Sequence, residues 1–130
     1  MQALRPGSRT VVCQPQDMQF IVEMARHGFR LMLVHQDIEF LRQTREQLRN
    51  QGLSSLLMGS FQSEAAQVPS LARGFYEAVL LCSASKIRPE EVLFALGPGG
   101  ILIRETDENL NLSGLLPLKL PPGYIGGRIP

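Results

Sequence analysis

Residues Arg9–Gly28 read RTVVCQPQDMQFIVEMARHG, and this stretch decides the fold class. Thr10–Cys13 is a continuous β-rich apolar run, which is typical of a strand buried on both faces. Asp17 is a good N-cap for the amphipathic helix that follows, and Gly28 suits the position just after its end. Strand, tight turn and helix is the arrangement at which nucleotide-type cofactors bind, yet the turn reads Gln14-Pro15-Gln16 where such a site needs glycines.

The same alternation of strand and helix continues along the chain. Four further strands are predicted, at Phe29–Val34, Ser55–Met58, Ala78–Cys82 and Ile101–Arg104. A second helix is predicted after its N-cap Asp37, a short helix or loop over Gln62–Arg73, and another helix from Pro89 to Gly97. Alternation of this kind predicts an α/β protein with a parallel sheet, helices on both faces and right-handed crossovers.

Composition narrows the classes of function. The chain has 130 residues, 44 % of them hydrophobic, which fits one folded domain. Thirteen basic and twelve acidic residues give a net charge of +1, aromatic residues are 6 %, and tryptophan is absent. We therefore expect binding to neither nucleic acid nor membrane. Nor do we expect an N-terminal signal peptide, because MQALRPGSR lacks an apolar segment.

The two cysteines, Cys13 and Cys82, each lie in an apolar run. We expect buried free thiols in a reducing compartment, which predicts a cytoplasmic protein. No metal site is predicted, because no His or Cys stands at ligand spacing from them.

Four pieces of the chain, in order and spacing, resemble the class I S-adenosylmethionine-dependent methyltransferase family, from about Leu4 to Leu120. LRPGSRTVVCQPQDM resembles its first strand and turn, LMLVHQDIEFLRQTREQLRNQGL its second strand and helix, FYEAVLLCSAS its fourth strand, and EEVLFALGPGGILI the Pro-Gly-Gly turn before its fifth strand. The framework residues that are kept are Leu4, Pro6, Gly7, Gly52, Pro98, Gly99 and Gly100. The resemblance implies a three-layer sandwich with strand order 3-2-1-4-5 and a ligand crevice at the carboxyl ends of the strands.

The cofactor-binding residues of that family are replaced. The three turn glycines of the family fall on Gln14, Gln16 and Met18. Its acidic residues fall on Val12 within strand one, on His35 at the end of strand two, where the ribose is held, and on Ser60 after strand three. Losing two charge-assisted hydrogen bonds to the ribose would cost about 3–6 kcal/mol, which is two to four decades of affinity. Neutral His35 can accept only one hydrogen bond.

The residues that follow the strands form the predicted crevice, which is degenerate as a cofactor site. Its members are Cys13, Gln14, Pro15, Gln16, His35, Gln36, Ser60, Phe61 and Cys82. We expect Pro15 to reshape the first turn, and Gln14 or Gln16 to fill space that a cofactor would use. Asp37 or Glu105 could replace a lost carboxylate, although Asp37 is better used as a helix cap. No catalytic residue is predicted.

These departures favour a non-catalytic methyltransferase-like domain over residues 1–120, without a cofactor. It would serve as an interaction or scaffold protein, or as the inactive partner subunit of an active enzyme. Two alternatives stay open. One is a divergent S-adenosylmethionine-dependent methyltransferase, completed by another chain, and the other is a small-molecule binder that reuses the crevice.

The C-terminal region carries the prediction about partners. Leu115–Leu120 is predicted as an edge strand beside strand five, and the Pro- and Gly-rich residues 121–130 as a flexible tail. An apolar strand-five edge invites another chain, so we expect a homodimer or a larger protein partner there. The competing interpretation is that the tail folds back and covers this edge, leaving a monomer.

Overall fold

The computed structural model describes residues 5–63, 69–106, 112 and 114–130, so Leu4 and much of the predicted Gln62–Arg73 segment lie outside the described residues. The described strands are β1 Arg9–Cys13, β2 Arg30–His35, β3 Leu57–Gln62, β4 Tyr76–Leu81, β5 Leu96–Glu105, β6 Leu116–Pro117 and β7 Tyr124–Arg128. The described α-helices are α1 Met18–Arg26 and α2 Ile38–Asn50. None of these helices has the length and apolar character needed to cross a membrane.

The strands form one mixed sheet in the order β3-β2-β1-β4-β5-β7-β6. Strands β1 to β5 are parallel, and β7 runs antiparallel to both β5 and β6. Val11 of β1 lies opposite Val79 of β4, and neither side chain is exposed to solvent. The predicted order 3-2-1-4-5 is confirmed, and β1 and β4 are its central strands.

Both helices form where the sequence predicts them. The side chain of Asp17 accepts a hydrogen bond from Gln19 N–H at the start of α1, and Asp37 does the same with Glu39 N–H at the start of α2. Gly28 follows α1 with a φ of +88°, a conformation that favours glycine. The two helices bury one face of the sheet in a core that includes Val12 and other β-strand residues.

The opposite face of the sheet is covered differently from the prediction. The segment from Pro89 to Gly97 is not one helix but two short 3-10 turns, Pro89–Glu91 and Leu93–Ala95. Glu91 accepts hydrogen bonds from the backbone and side chain of Arg88, which cap the start of the first turn. Among the described residues, α-helices therefore cover only one face of the sheet.

Strand β3 lies further along the chain than predicted. Ser54–Leu56 forms a 3-10 turn, so the strand begins at Leu57 and extends to Gln62 instead of spanning Ser55–Met58. Its pairing with β2 passes from Leu57 to Gly59, which leaves Met58 as a bulge. Ser60 and Phe61 therefore lie within the strand, not after it.

The flexible tail predicted for residues 121–130 is wrong for its main part. Tyr124–Arg128 forms β7, which pairs antiparallel with β5 from Ile101 to Glu105. A Cβ on Gly126 would lie 2.6 Å from the carbonyl oxygen of Leu102, so only glycine permits this approach. The edge of β5 is covered, as the competing interpretation has it, and the strand predicted in Leu115–Leu120 is a two-residue strand beside β7, not beside β5.

Candidate ligand-binding site

The turn after β1 keeps the backbone shape that glycine favours although it contains none. Gln14 has a φ of +57°, the left-handed region that costs a residue with a Cβ about 1–2 kcal/mol. Its N–H donates to Val34 O at 2.7 Å, which holds the turn against β2. The side chain of Gln14 is 7 % exposed and points between the turns after β1 and β2.

Two hydrogen bonds join these turns, and we call them the turn bridge. Gln36 N–H donates to Oε1 of Gln14 at 3.1 Å. On the other side, Nε2 of His35 lies 2.9 Å from the carbonyl oxygen of Pro15. The expectation that Gln14 fills space between the strand ends agrees with this geometry.

The tautomer of His35 follows from its contacts. Asp37 N–H donates to Nδ1 at 2.9 Å, so Nδ1 carries no proton and Nε2–H donates to Pro15. The ring stacks on Phe40 with 4.2 Å between centroids. Burial lowers the pKa of His35, against the hydrogen bond that its ring donates to Pro15 O and the charge of Asp37, which act to raise it. His35, which closes β2, is therefore a neutral bridging group.

The bridge also reaches β3. The side-chain amide of Gln62 donates to Gln36 O at 3.3 Å, a contact that the sequence analysis missed because it ended the strand four residues too early. Ser60 accepts a hydrogen bond from Arg45 of α2, and Phe61 packs against the core on the face opposite α1. The structure does not bring Ser60 and Phe61 to the bridge.

A cavity of about 280 Å³ lies beside the bridge, at the carboxyl ends of β1, β4 and β5. Its lining consists of Pro15, Gln16, Asp17, Phe20, Leu80, Cys82, Glu105 and Tyr124. Three predicted crevice residues, Pro15, Gln16 and Cys82, are among them. Of the two acidic residues considered as replacements for the lost carboxylate, Glu105 lines the cavity and Asp37 is occupied as the cap of α2.

Sequence analysis missed the apolar wall of this cavity. Phe20 is a partly buried residue of α1 that packs against the core. The helical spacing of apolar residues in the sequence could have identified it. The sequence offers no such signal for Tyr124, which lies in the segment predicted as a flexible tail. Cys13, by contrast, was predicted to line the crevice but lies in the core of the opposite sheet face.

The cysteine thiols are poor nucleophiles here. Burial, reinforced by the charge of Glu105, raises the pKa of Cys82 to about 12, and burial raises the pKa of Cys13 to about 12. Cys82 N–H donates to Cys13 O at 3.1 Å, so the two residues adjoin at the ends of the neighbouring strands β4 and β1. Within the described residues, no three His, Cys, Asp or Glu side chains come together as a metal site.

No protein-family model and no curated protein sequence matches the chain. Solved structures do match. A methyltransferase from Geobacter sulfurreducens superposes with a TM-score of 0.71 at 11 % identity, over 94 % of this chain and 71 % of that one. A SAM-dependent methyltransferase from Aquifex aeolicus has a TM-score of 0.64 at 14 % identity, over 96 % and 82 %. One from Thiobacillus denitrificans, in complex with S-adenosyl-L-homocysteine, has a TM-score of 0.63 at 18 % identity, over 85 % and 47 %.

Structural similarity at such low sequence identity establishes the fold alone. The chain has the Rossmann-like fold of the class I S-adenosylmethionine-dependent methyltransferases, as the resemblance implied. It spans less than half the length of many of the matching structures, between 41 % and 49 % for six of them.

Proposed function

We propose that this chain is a non-catalytic methyltransferase-like domain that serves as an interaction or scaffold protein, or as the inactive partner subunit of an active enzyme. The turn bridge carries this proposal. By the family resemblance, the ribose of S-adenosylmethionine belongs between the ends of β1 and β2. In this chain His35 and Gln14 join those ends through their own side chains.

A cofactor would have to displace these contacts and would gain little in return. Each bridge hydrogen bond contributes about 0.5–1.5 kcal/mol, and a buried donor or acceptor left unpaired costs about 1–3 kcal/mol. Neutral His35 offers no carboxylate for the ribose hydroxyls. Weak or absent cofactor binding follows, and with it no methyl transfer by this chain alone.

Reopening the bridge tests the proposal. The variant Gln14→Gly with His35→Asp removes both bridging side chains and adds a carboxylate at the end of β2. Its matched control is Gln14→Gly with His35→Gln, which opens the turn without the charge. We expect S-adenosylhomocysteine to bind the Asp variant at least about tenfold more tightly than the control and the wild type. Equal, tight binding by the wild type would contradict the proposal.

A second candidate function is a divergent methyltransferase, completed by another chain. One observation favours it: the cavity beside the bridge is open and Glu105 lines it, so part of the crevice can accept a ligand. Two matching methyltransferases of the same fold were solved with S-adenosyl-L-homocysteine. Mass spectrometry of the purified protein under native conditions distinguishes the candidates, because co-purified S-adenosylmethionine or its product supports only the second.

The proposed partner surface lies further out than the edge of β5, because β7 pairs with that edge. Strand β6 is now the outermost described strand on this side, and Leu116 is 52 % exposed. We infer that a second copy or a larger partner contacts this side. Leu116→Asp should then lower the apparent mass at sedimentation equilibrium, whereas Ile38→Asp, at a similarly exposed apolar residue of α2, should not. A wild type that is monomeric and captures no partner through this surface would contradict the inference.

The two buried thiols, Cys13 and Cys82, support a location in a reducing compartment, and we propose the cytoplasm. Fractionation of cells that express the native chain tests this, and recovery from an oxidising compartment would contradict it.

A further inference from the structure

The chemistry of the cavity beside the turn bridge points to a particular kind of ligand. Two carboxylate residues line it, Asp17 and Glu105, together with two aromatic residues, Phe20 and Tyr124. No basic residue is among its described lining residues. A concave site with carboxylates, aromatic rings and an apolar floor favours an organic cation over an anion or a neutral ligand.

Glu105 is held in place to act as the charge of this site. Its Oε1 accepts a hydrogen bond from Ser83 N–H at 2.8 Å. In β5 it shares the sheet face of Ile103, which packs in the core beneath α1. The neighbouring Arg104 belongs to the opposite face by the same alternation, and its Nη1 donates a hydrogen bond to Cys82 O at 3.4 Å. The two carboxylates that line the cavity outnumber this one nearby guanidinium.

Cys82 adds a neutral sulfur to the lining of the cavity. Its side chain lines the cavity, is 7 % exposed, and has no hydrogen-bond partner for its sulfur among the described residues. The thiol stays neutral, because burial and the charge of Glu105 raise the pKa of Cys82 to about 12. A soft, uncharged sulfur beside aromatic rings is a suitable surface for methyl or methylene groups.

We propose that this cavity binds a small alkylated ammonium ion, with its charge beside Glu105 and its alkyl groups against Phe20, Leu80 and Tyr124. The size agrees, since about 280 Å³ suits a ligand of a few heavy atoms and is small for a nucleoside-bearing one. The site stands apart from the turn bridge, so it does not depend on whether that bridge excludes a cofactor. A divalent metal is disfavoured, because calcium needs about six to eight oxygen ligands and transition metals favour nitrogen or thiolate ligands, whereas the lining offers two carboxylates.

Choline and its uncharged isostere 3,3-dimethylbutan-1-ol test the proposal, since they share a shape and differ in charge. We expect choline to shift the backbone amide NMR signals of Leu80, Cys82 and Tyr124 saturably, and the neutral alcohol to bind at least about tenfold more weakly. Glu105→Gln should weaken choline binding by about tenfold or more. Glu46→Gln, which removes one exposed carboxylate of α2, should leave it unchanged.

Three results would overturn the proposal. Equal binding of choline and the neutral alcohol would show that charge does not matter. Unchanged binding in a folded Glu105→Gln variant would place the cation elsewhere. No saturable shift at these three residues up to the solubility of choline would show that the cavity takes no such ion. Retained amide dispersion in the Glu105→Gln spectrum separates these results from a failure to fold.

Discussion

His35 and Pro15 are joined by a hydrogen bond of 2.9 Å between imidazole Nε2 and the backbone carbonyl oxygen, across a separation of 20 residues. The bond requires a proton on Nε2, and the hydrogen bond from Asp37 N–H requires a lone pair on Nδ1. Only the neutral imidazole meets both conditions. The ends of β1 and β2 are therefore held together by a group whose charge state is fixed by the fold.

This relationship predicts a pH dependence of stability. Burial lowers the pKa of His35 in the folded chain, so the unfolded chain binds the proton more readily. The free energy of unfolding should be at its full value above the unfolded pKa of about 6.5 and should fall as pH drops below it. Urea unfolding at several values between about pH 7.5 and pH 5 measures this, above the range in which carboxylates titrate.

Replacing the histidine supplies the control for that experiment. His35→Gln, which cannot titrate, should remove the decline in the free energy of unfolding between about pH 7.5 and pH 5. This range includes the ordinary histidine pKa of about 6.5. His27→Gln, at the exposed end of α1, should leave the decline in place. A decline that survives in His35→Gln would show that another group causes it.

The left-handed backbone of Gln14 predicts an unusual order of stabilities. Gln14→Ala loses the hydrogen bond with Gln36 and keeps the strained φ of +57°, whereas Gln14→Gly loses the bond and relieves the strain. The Gly variant should be more stable than the Ala variant by about 1 kcal/mol. At the exposed Gln16, which does not have a positive φ, the order should reverse. Thermal or urea unfolding of the four variants decides the matter, and an Ala variant more stable than Gly at position 14 would contradict the observed turn.

The close approach of β7 to β5 predicts that Gly126 tolerates no side chain. An added Cβ would lie 2.6 Å from Leu102 O and 2.8 Å from a methyl group of Leu120. Gly126→Ala should therefore lower the free energy of unfolding by about 1–3 kcal/mol and speed amide hydrogen exchange in both strands. Unchanged exchange in β5 would mean that the C-terminal strand does not protect that edge.

The part of the fold predicted from sequence is the part that local signals specify. Asp17, Asp37 and Gly28 mark the ends of α1 and α2 by themselves, and the run around Val11 has the continuous apolar pattern of a central parallel strand. The order of β1 to β5 came from the family resemblance, because the alternation of elements alone does not fix it.

The errors in the predicted fold lie where contacts between residues distant in sequence determine the structure. The β3 region offers apolar residues in a row, and only pairing with β2 determines that the strand starts at Leu57 and bulges at Met58. PPGYIGGRIP has the composition of a loose tail, yet Gly126 is the residue that lets β7 pair with β5. The same error hid Tyr124, and with it one wall of the cavity.

Burial of the thiols predicts their chemical reactivity. The raised pKa values of Cys13 and Cys82, about 12 each, leave almost no thiolate at pH 8, and the two residues are only 0 % and 7 % exposed. In the native protein a thiol-specific disulfide reagent should react at least about a hundredfold more slowly than in urea. Rapid reaction of either thiol under native conditions would show that its end of the sheet opens readily.

Calorimetric titration of the wild-type chain with S-adenosylmethionine tests the central claim most directly. The turn bridge occupies the space between the ends of β1 and β2 and offers no carboxylate to a ribose. The account therefore predicts a dissociation constant no tighter than roughly the high micromolar range, on the order of 100 μM or weaker. A dissociation constant below about 10 μM would contradict the claim that this methyltransferase-like domain has lost its cofactor site.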